Sequence, residues 1–156
     1  MSWFRDLRVR WWRAFKKNMR REDGVIYQTR YHLLKTKLLS IYINVIRTPD
    51  YDPWFHNHPW RRSWSLKLRN DYTEIVSSDG RWGERVVRPG KLSRIPEFHR
   101  IVSLHTPEPG EPVTTLFIGW RSDRPWGFVN PDTGELVSWQ DRVKMKGMTP
   151  EESRRL

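Results

Sequence analysis

Apolar residues follow two different periods along this chain. Trp3, Phe4, Leu7, Trp11, Phe15 and Met19 recur mostly three or four positions apart, with Arg5, Arg8, Arg13, Lys16 and Lys17 pointing in other directions. That spacing predicts a basic amphipathic helix over residues 1–22, with Ser2 as its cap and Gly24 beyond its end. From residue 25 the period shortens. Residues 25–34 and 38–46 are rich in β-branched and aromatic side chains, and Lys35-Thr36-Lys37 divides them into two expected strands. A polar loop with Pro49 and Pro53 ends the second.

The next stretch alternates. His56, His58, Trp60, Trp64, Leu66 and Leu68 hold even positions, whereas Arg61, Ser63, Ser65, Lys67 and Arg69 are odd and polar; Arg62 breaks the pattern. Alternate residues of an extended chain share a face, so this phase, if it runs through Pro59, turns both histidines inward with the leucines and tryptophans. Asn70-Asp71 supplies a turn, and residues 72–76 return as a strand with Glu74 in phase with Tyr72 and Val76. Further strands are expected at 84–87, 99–104, 113–120 and 126–129, separated by glycine and proline. Such a cadence fits a sandwich or small barrel better than alternating βα units. The polar tail, residues 144–156, is expected to fray.

Composition narrows the chemistry. A chain of 156 residues has the size of one domain, divided by this reading into the helix (1–22), a β domain (23–143) and the tail (144–156). Ten tryptophans supply large core side chains although only 37% of residues are hydrophobic. The formal charge is +11, of which residues 1–21 carry +7. The basic helix is expected to pack on its own domain or on a second subunit of a homodimer; contact with nucleic acid or a membrane surface is the alternative use of such a stripe. No long apolar run and no signal-peptide pattern is present, which places the expected location in the cytoplasm. Cysteine is absent, so a transition metal can be held only by His, Asp or Glu.

His56 and His58 are therefore the leading candidate ligands, with His99, at the start of another apolar segment, as the third. Neutral imidazoles suit Fe(II), Mn(II), Ni(II) or Zn(II) without choosing among them. Hydrogen bonding within a polar loop is the competing reading of the pair. Glu74 is a candidate fourth ligand or one half of a strand salt bridge, and Asp52 a candidate partner for a ligand histidine or a loop cap. His32 and His105 read as structural or surface histidines. Arg30, Arg61, Arg62, Lys67 and Arg100 are candidates to line a mouth and hold an anionic substrate, or else form a solvated strand face. Trp60 and Trp126 are candidate pocket walls. No phosphate-binding glycine motif and no nucleophile elbow is present.

The run Asp50-Tyr51-Asp52-Pro53-Trp54-Phe55-His56-Asn57-His58-Pro59-Trp60, followed by Tyr72-Thr73-Glu74, Pro89-Gly90, His99-Arg100-Ile101 and Trp126-Gly127-Phe128, resembles a small cupin-like family of bacteria and their phages, within the RmlC-like cupin superfamily. The likeness spans roughly residues 25 to 140. It implies a cupin-like double-stranded β-helix, a jelly-roll barrel, beneath the N-terminal amphipathic helix. It also implies that His56, His58 and His99 hold a divalent metal, as in metal-binding cupins, and that an unknown small molecule meets the metal, in the manner of a small-molecule dioxygenase. A three-histidine centre is similar to that of thiol dioxygenases. The close-spaced glutamate of the family's first motif has no counterpart, because Trp60-Arg61-Arg62 follows His58-Pro59; Asn70-Asp71 replaces the usual glycine-rich turn. A non-catalytic binding or phage-associated accessory protein, and a nucleic-acid or partner binder acting through the basic helix, are the alternatives.

Overall fold

The computed structural model describes residues 15–21, 23–78 and 81–147. Twelve strands lie in two antiparallel sheets: β1 (Lys16–Arg20), β2 (Ile26–Lys35), β3 (Leu39–Ile46), β4 (Phe55–His56), β5 (Trp60–Arg69), β6 (Asp71–Ser78), β7 (Arg81–Val87), β8 (Leu92–Arg94), β9 (His99–His105), β10 (Val113–Ser122), β11 (Gly127–Val129) and β12 (Leu136–Ser138). The first sheet runs β1-β2-β3-β10-β5-β8 and the second β12-β11-β4-β9-β6-β7. One helix, α1 (Trp139–Met145), lies within the described residues; Ser138 caps it, accepting a hydrogen bond from the amide of Asp141.

Two expectations about the fold are corrected. Among the described residues no strand of one sheet pairs with a strand of the other, so the structure is two facing sheets rather than a closed jelly-roll barrel. The helix expected over residues 1–22 does not hold at its C-terminal end. Lys16–Arg20 form β1, whose backbone pairs with β2 from Lys16 opposite Tyr31 to Arg20 opposite Ile26. Ladder bonds to a neighbouring strand thus override the helical spacing there; the earlier part of the predicted helix lies outside the described residues. The helix that is present, α1, falls at the boundary of the expected polar tail.

The predicted inward face of β5 also changes phase. Trp60 is buried, but beyond it Ser63, Ser65 and Lys67 are the buried residues and Leu68 is exposed. Arg61 and Arg62 are both exposed. Between the pairs Trp60–Ser122 and Arg62–Trp120, Arg121 on β10 takes a left-handed conformation, with φ of 55°. Opposite this left-handed residue the face that β5 presents to the interior switches from even to odd positions.

On β3 and β10 alternation is regular, which sends Tyr42, Asn44 and Ile46, and Val113, Thr115, Phe117 and Gly119, between the sheets. The chain passes from β5 to β6 through Asn70, whose φ of 60° suits asparagine and whose amide donates to the carbonyl of Pro112. Apolar packing collects in two places. One cluster joins Ile46, Tyr72, Val87, Ile101 and Val113; the other joins Tyr42, Trp60 and Phe117.

Gly119 explains how Trp60 reaches this second cluster. A Cβ on Gly119 would lie 2.6 Å from Cγ of the Trp60 ring, so the indole rests directly on bare backbone. Gly119→Ala is expected to lower stability by about 1–3 kcal/mol through overpacking and to alter the near-ultraviolet circular dichroism of the tryptophans; chemical denaturation of the two proteins measures the loss.

Candidate metal centre

The first two histidines enter from a strand of only two residues. β4 is held on one side by the pair His56–His99 with β9 and on the other by Phe128–His56 and Val129–Phe55 with β11. Asn57 then faces away from the histidines and is buried. Its side chain accepts a hydrogen bond from the Gly127 amide at 2.8 Å and donates to the Pro125 carbonyl at 3.2 Å, while its own amide donates to the Gly127 carbonyl. These bonds fix the backbone between His56 and His58. Nothing in its residue type marks Asn57 for this role; its place between two candidate ligands is the one signal the sequence carries.

His56, His58 and His99 converge, with one ring nitrogen of each within 4.8 Å of the others. Nε2 of His58 and Nε2 of His99 stand 2.9 Å apart. Two neighbouring ligands of an octahedral ion with bonds of about 2.1 Å stand about 3.0 Å apart, so this pair already has the separation such an ion imposes. His56 lies no more than 4.8 Å from the other two, at most about 0.6 Å beyond the roughly 4.2 Å limit for one ion, within the reach of a side-chain rotation.

Protonation favours metal binding. His99 lies against Glu74, with Nδ1 2.7 Å from Oε2, and both side chains are almost fully buried. Burial alone would raise the carboxyl pKa, but hydrogen bonds and charge from His99 and Arg85 hold it at about 2. Ionised Glu74 can only accept, so Nδ1 of His99 carries a proton and Nε2 is the ring nitrogen turned toward His58, the position from which a metal would be held. Burial lowers His56 to about 4, partly offset by Asp50, and drives His58 well below its ordinary value, helped by the neighbouring His99 and His56. At neutral pH both rings are neutral, the form a metal requires.

The other candidate residues take separate places. Glu74 spends its oxygens on His99 and on Arg85, whose Nε donates to Oε1 at 2.8 Å, so it orients a ligand and neutralises charge. Asp52 pairs with Arg142 and Lys146, both at 2.8 Å, and ties α1 to the loop before β4 rather than meeting a histidine. Asp50 is nearer the site: its Oδ2 accepts from the Ile101 amide at 2.7 Å and stands 3.9 Å from Nδ1 of His56. Trp60 packs beside His58, with ring centroids 6.0 Å apart, and its buried Nε1 has no hydrogen-bond partner among the described residues. Arg100 points away from His99 and donates to the Pro53 carbonyl. Trp126 is partly exposed and stacks on Trp139, two positions from Phe128, whose ring lies 6.2 Å from that of His56.

No protein-family model and no curated protein matches the chain. Solved structures do. A Ralstonia eutropha protein assigned provisionally as a mannose-6-phosphate isomerase is 21% identical, with a TM-score of 0.50 over 62% of this chain and 87% of that one. Hydroxypropylphosphonic acid epoxidase from S. wedmorenis is 12% identical, with a TM-score of 0.50 over 69% of this chain and 56% of its own. A variant of Bacillus subtilis oxalate decarboxylase is 14% identical, with a TM-score of 0.50 over 92% of this chain, which spans only 38% of that enzyme. The chain therefore shares, distantly, the fold of these proteins.

Two outcomes follow from the geometry. Glu74→Gln is expected to weaken metal binding by about 10- to 100-fold, measured by competition with a chelating dye, because the proton on His99 Nδ1 loses its anionic acceptor. In chelator-treated protein, stability is expected to fall as pH drops from 6.5 to about 4, since the unfolded chain protonates His56 in that window and the folded one does not. Below pH 4.5 the loss of Glu74 ionisation in the unfolded state removes its contribution in turn, down to about 2. Denaturation against pH for wild type and His56→Asn isolates the histidine part, at most about 1.4 kcal/mol per pH unit.

Proposed function

We propose that this protein is a divalent-metal protein acting on a small molecule, with His56, His58 and His99 as the metal ligands and oxidation of the bound molecule as its reaction class. The observation that carries the reading is the 2.9 Å approach of two imidazole nitrogens, one already oriented by a buried carboxylate, beside a third ring. Three histidines fit a divalent ion and leave further coordination positions for water or substrate. The ion supplies a Lewis-acid centre and, if it is iron, a one-electron redox centre.

The chain's own residues do the rest. Glu74 keeps the proton of His99 on Nδ1 and, with Asp50, places negative charge near a cation. Trp60 and Phe117 pack against His58, with the Phe117 ring centroid 5.6 Å from that of His58, and shield this side from water. Asn57 holds the two histidines of β4 and its exit in register with β11. Likeness to the Fe(II) epoxidase supports the fold in which such a site is built, and the histidine geometry supports the metal.

Protein purified without added metal or an affinity tag is expected to carry close to one divalent ion per chain, by elemental analysis, and to lose it in both His56→Ala and His99→Ala. Failure to bind Fe, Mn, Ni or Zn even after reconstitution would remove the metal reading. A metal-loaded protein that consumes no oxygen with any member of a small-molecule panel would instead favour a binding role.

A further inference from the structure

Between the two apolar clusters the first sheet presents a polar row. Arg30 on β2 pairs in register with Asn44 on β3, Asn44 with Thr115 on β10, and Thr115 with Lys67 on β5. Residues paired in this way share a face, so all four point between the sheets. Asn44, Thr115 and Lys67 are at most 5% exposed. On one side along the strands lie Ile46 and Val113; on the other lie Tyr42 and Phe117, the latter packed on His58. The row thus lies one step along the sheet from the residues facing the histidines.

Its charges have no ion-pair partner among the described residues. The Lys67 ammonium makes no hydrogen bond or ion pair among the described residues; it lies over the Tyr72 ring, 4.7 Å from the centroid. Glu74, the carboxylate whose charge Lys67 feels, is already committed to His99 and Arg85. Burial, only partly offset by Glu74, lowers Lys67 to about 8, so it remains mostly cationic at neutral pH. Arg30 donates from Nε to Oδ1 of Asn44 and has no ion pair among the described residues, and its charge reaches His58. The same Oδ1 accepts from Gln28. Lys67 Nζ, Asn44 Nδ2 and Thr115 Oγ1, all on buried residues, have no hydrogen-bond partner among the described residues.

A buried cation without an anion is costly, and two in one row with unused donors between them form an incomplete ion pair. We propose that Arg30, Asn44, Thr115 and Lys67 form the seat of a small organic oxyanion, a carboxylate or phosphate ester, whose charged end lies against this row beside the three histidines. This deepens the metal reading, on which it rests for what the other end of the ligand meets. It also sorts the basic residues of the sequence: Arg61 and Arg62 face outward, and Arg100 holds the Pro53 loop.

The test is calorimetric titration of inorganic phosphate and of succinate into Ni(II)-loaded and chelator-treated full-length protein, at constant ionic strength in chloride, with metal content measured alongside. Saturable binding of one or both is expected, weakened about tenfold or more in Lys67→Met and in Arg30→Gln and largely restored in Lys67→Arg, with metal content unchanged throughout. Lys67→Met is expected to fold, because methionine fills similar volume without a buried charge; if it does not, Arg30→Gln, at the half-buried end of the row, decides alone. If neither anion binds to wild type in either form, or both bind equally well to the neutralised variants, the proposal is overturned. Lysine-dependent binding in a protein that never retains metal would uphold the row and end the metal reading; retained metal with no anion binding would do the reverse.

Discussion

Everything at the centre of this protein depends on a buried carboxylate meeting a buried imidazole. Glu74 and His99 arrive from adjacent strands of the second sheet, and neither would tolerate its surroundings alone. Left unpaired, an ionised carboxylate between two sheets would take up a proton, and a histidine without a fixed neighbour would have no preferred tautomer. Together, with Arg85 at the rim, they settle which nitrogen of His99 faces the other two histidines. Burial then keeps His56 and His58 uncharged, so one environment supplies both the negative neighbour and the neutral donors that a cation needs.

The interior consequently departs from the usual dry core of a β sandwich. Apolar packing splits into two clusters, and the space between carries an amide, a hydroxyl, an ammonium and a guanidinium on one sheet facing a carboxylate and imidazoles on the other. Polar groups buried in such number lower the stability a small core can reach, and they persist where a ligand completes their bonding. Aromatic contacts among Tyr42, Trp60, Phe117 and His58 close one flank of this space.

Much of this arrangement was legible in the sequence, for a physical reason. Side-chain alternation needs only an extended chain, so β2, β3, β9 and β10 could be read directly, and a His-x-His pair with a distant third histidine limits the possible donors when cysteine is absent. What could not be read depended on irregular backbone. Arg121 with positive φ sits where the face of β5 reverses, which turned Lys67 inward and Leu68 outward against the alternation expected from composition. Helical spacing around Lys16–Arg20 gave way to strand pairing that no local pattern announces. The roles of Glu74 and Asp52 were undetermined for a related reason: a carboxylate's partner comes from a stretch distant along the chain, here His99 for one and Arg142 with Lys146 for the other.

The brevity of β4 has its own consequence. Along a continuous strand, residues two apart are spaced about 6.6 Å, too far for rings that stay parallel to meet one ion. Here regular pairing stops at His56, and the Asn57 amide takes over by bonding to the Gly127 and Pro125 backbone as a neighbouring peptide would. The chain is thereby free to veer out of the sheet within one residue, and the His56 and His58 rings lie edge to face at 5.3 Å. A side chain impersonating main chain lets the fold curtail a strand without loosening it, and that curtailment turns two side chains in a row into a pincer.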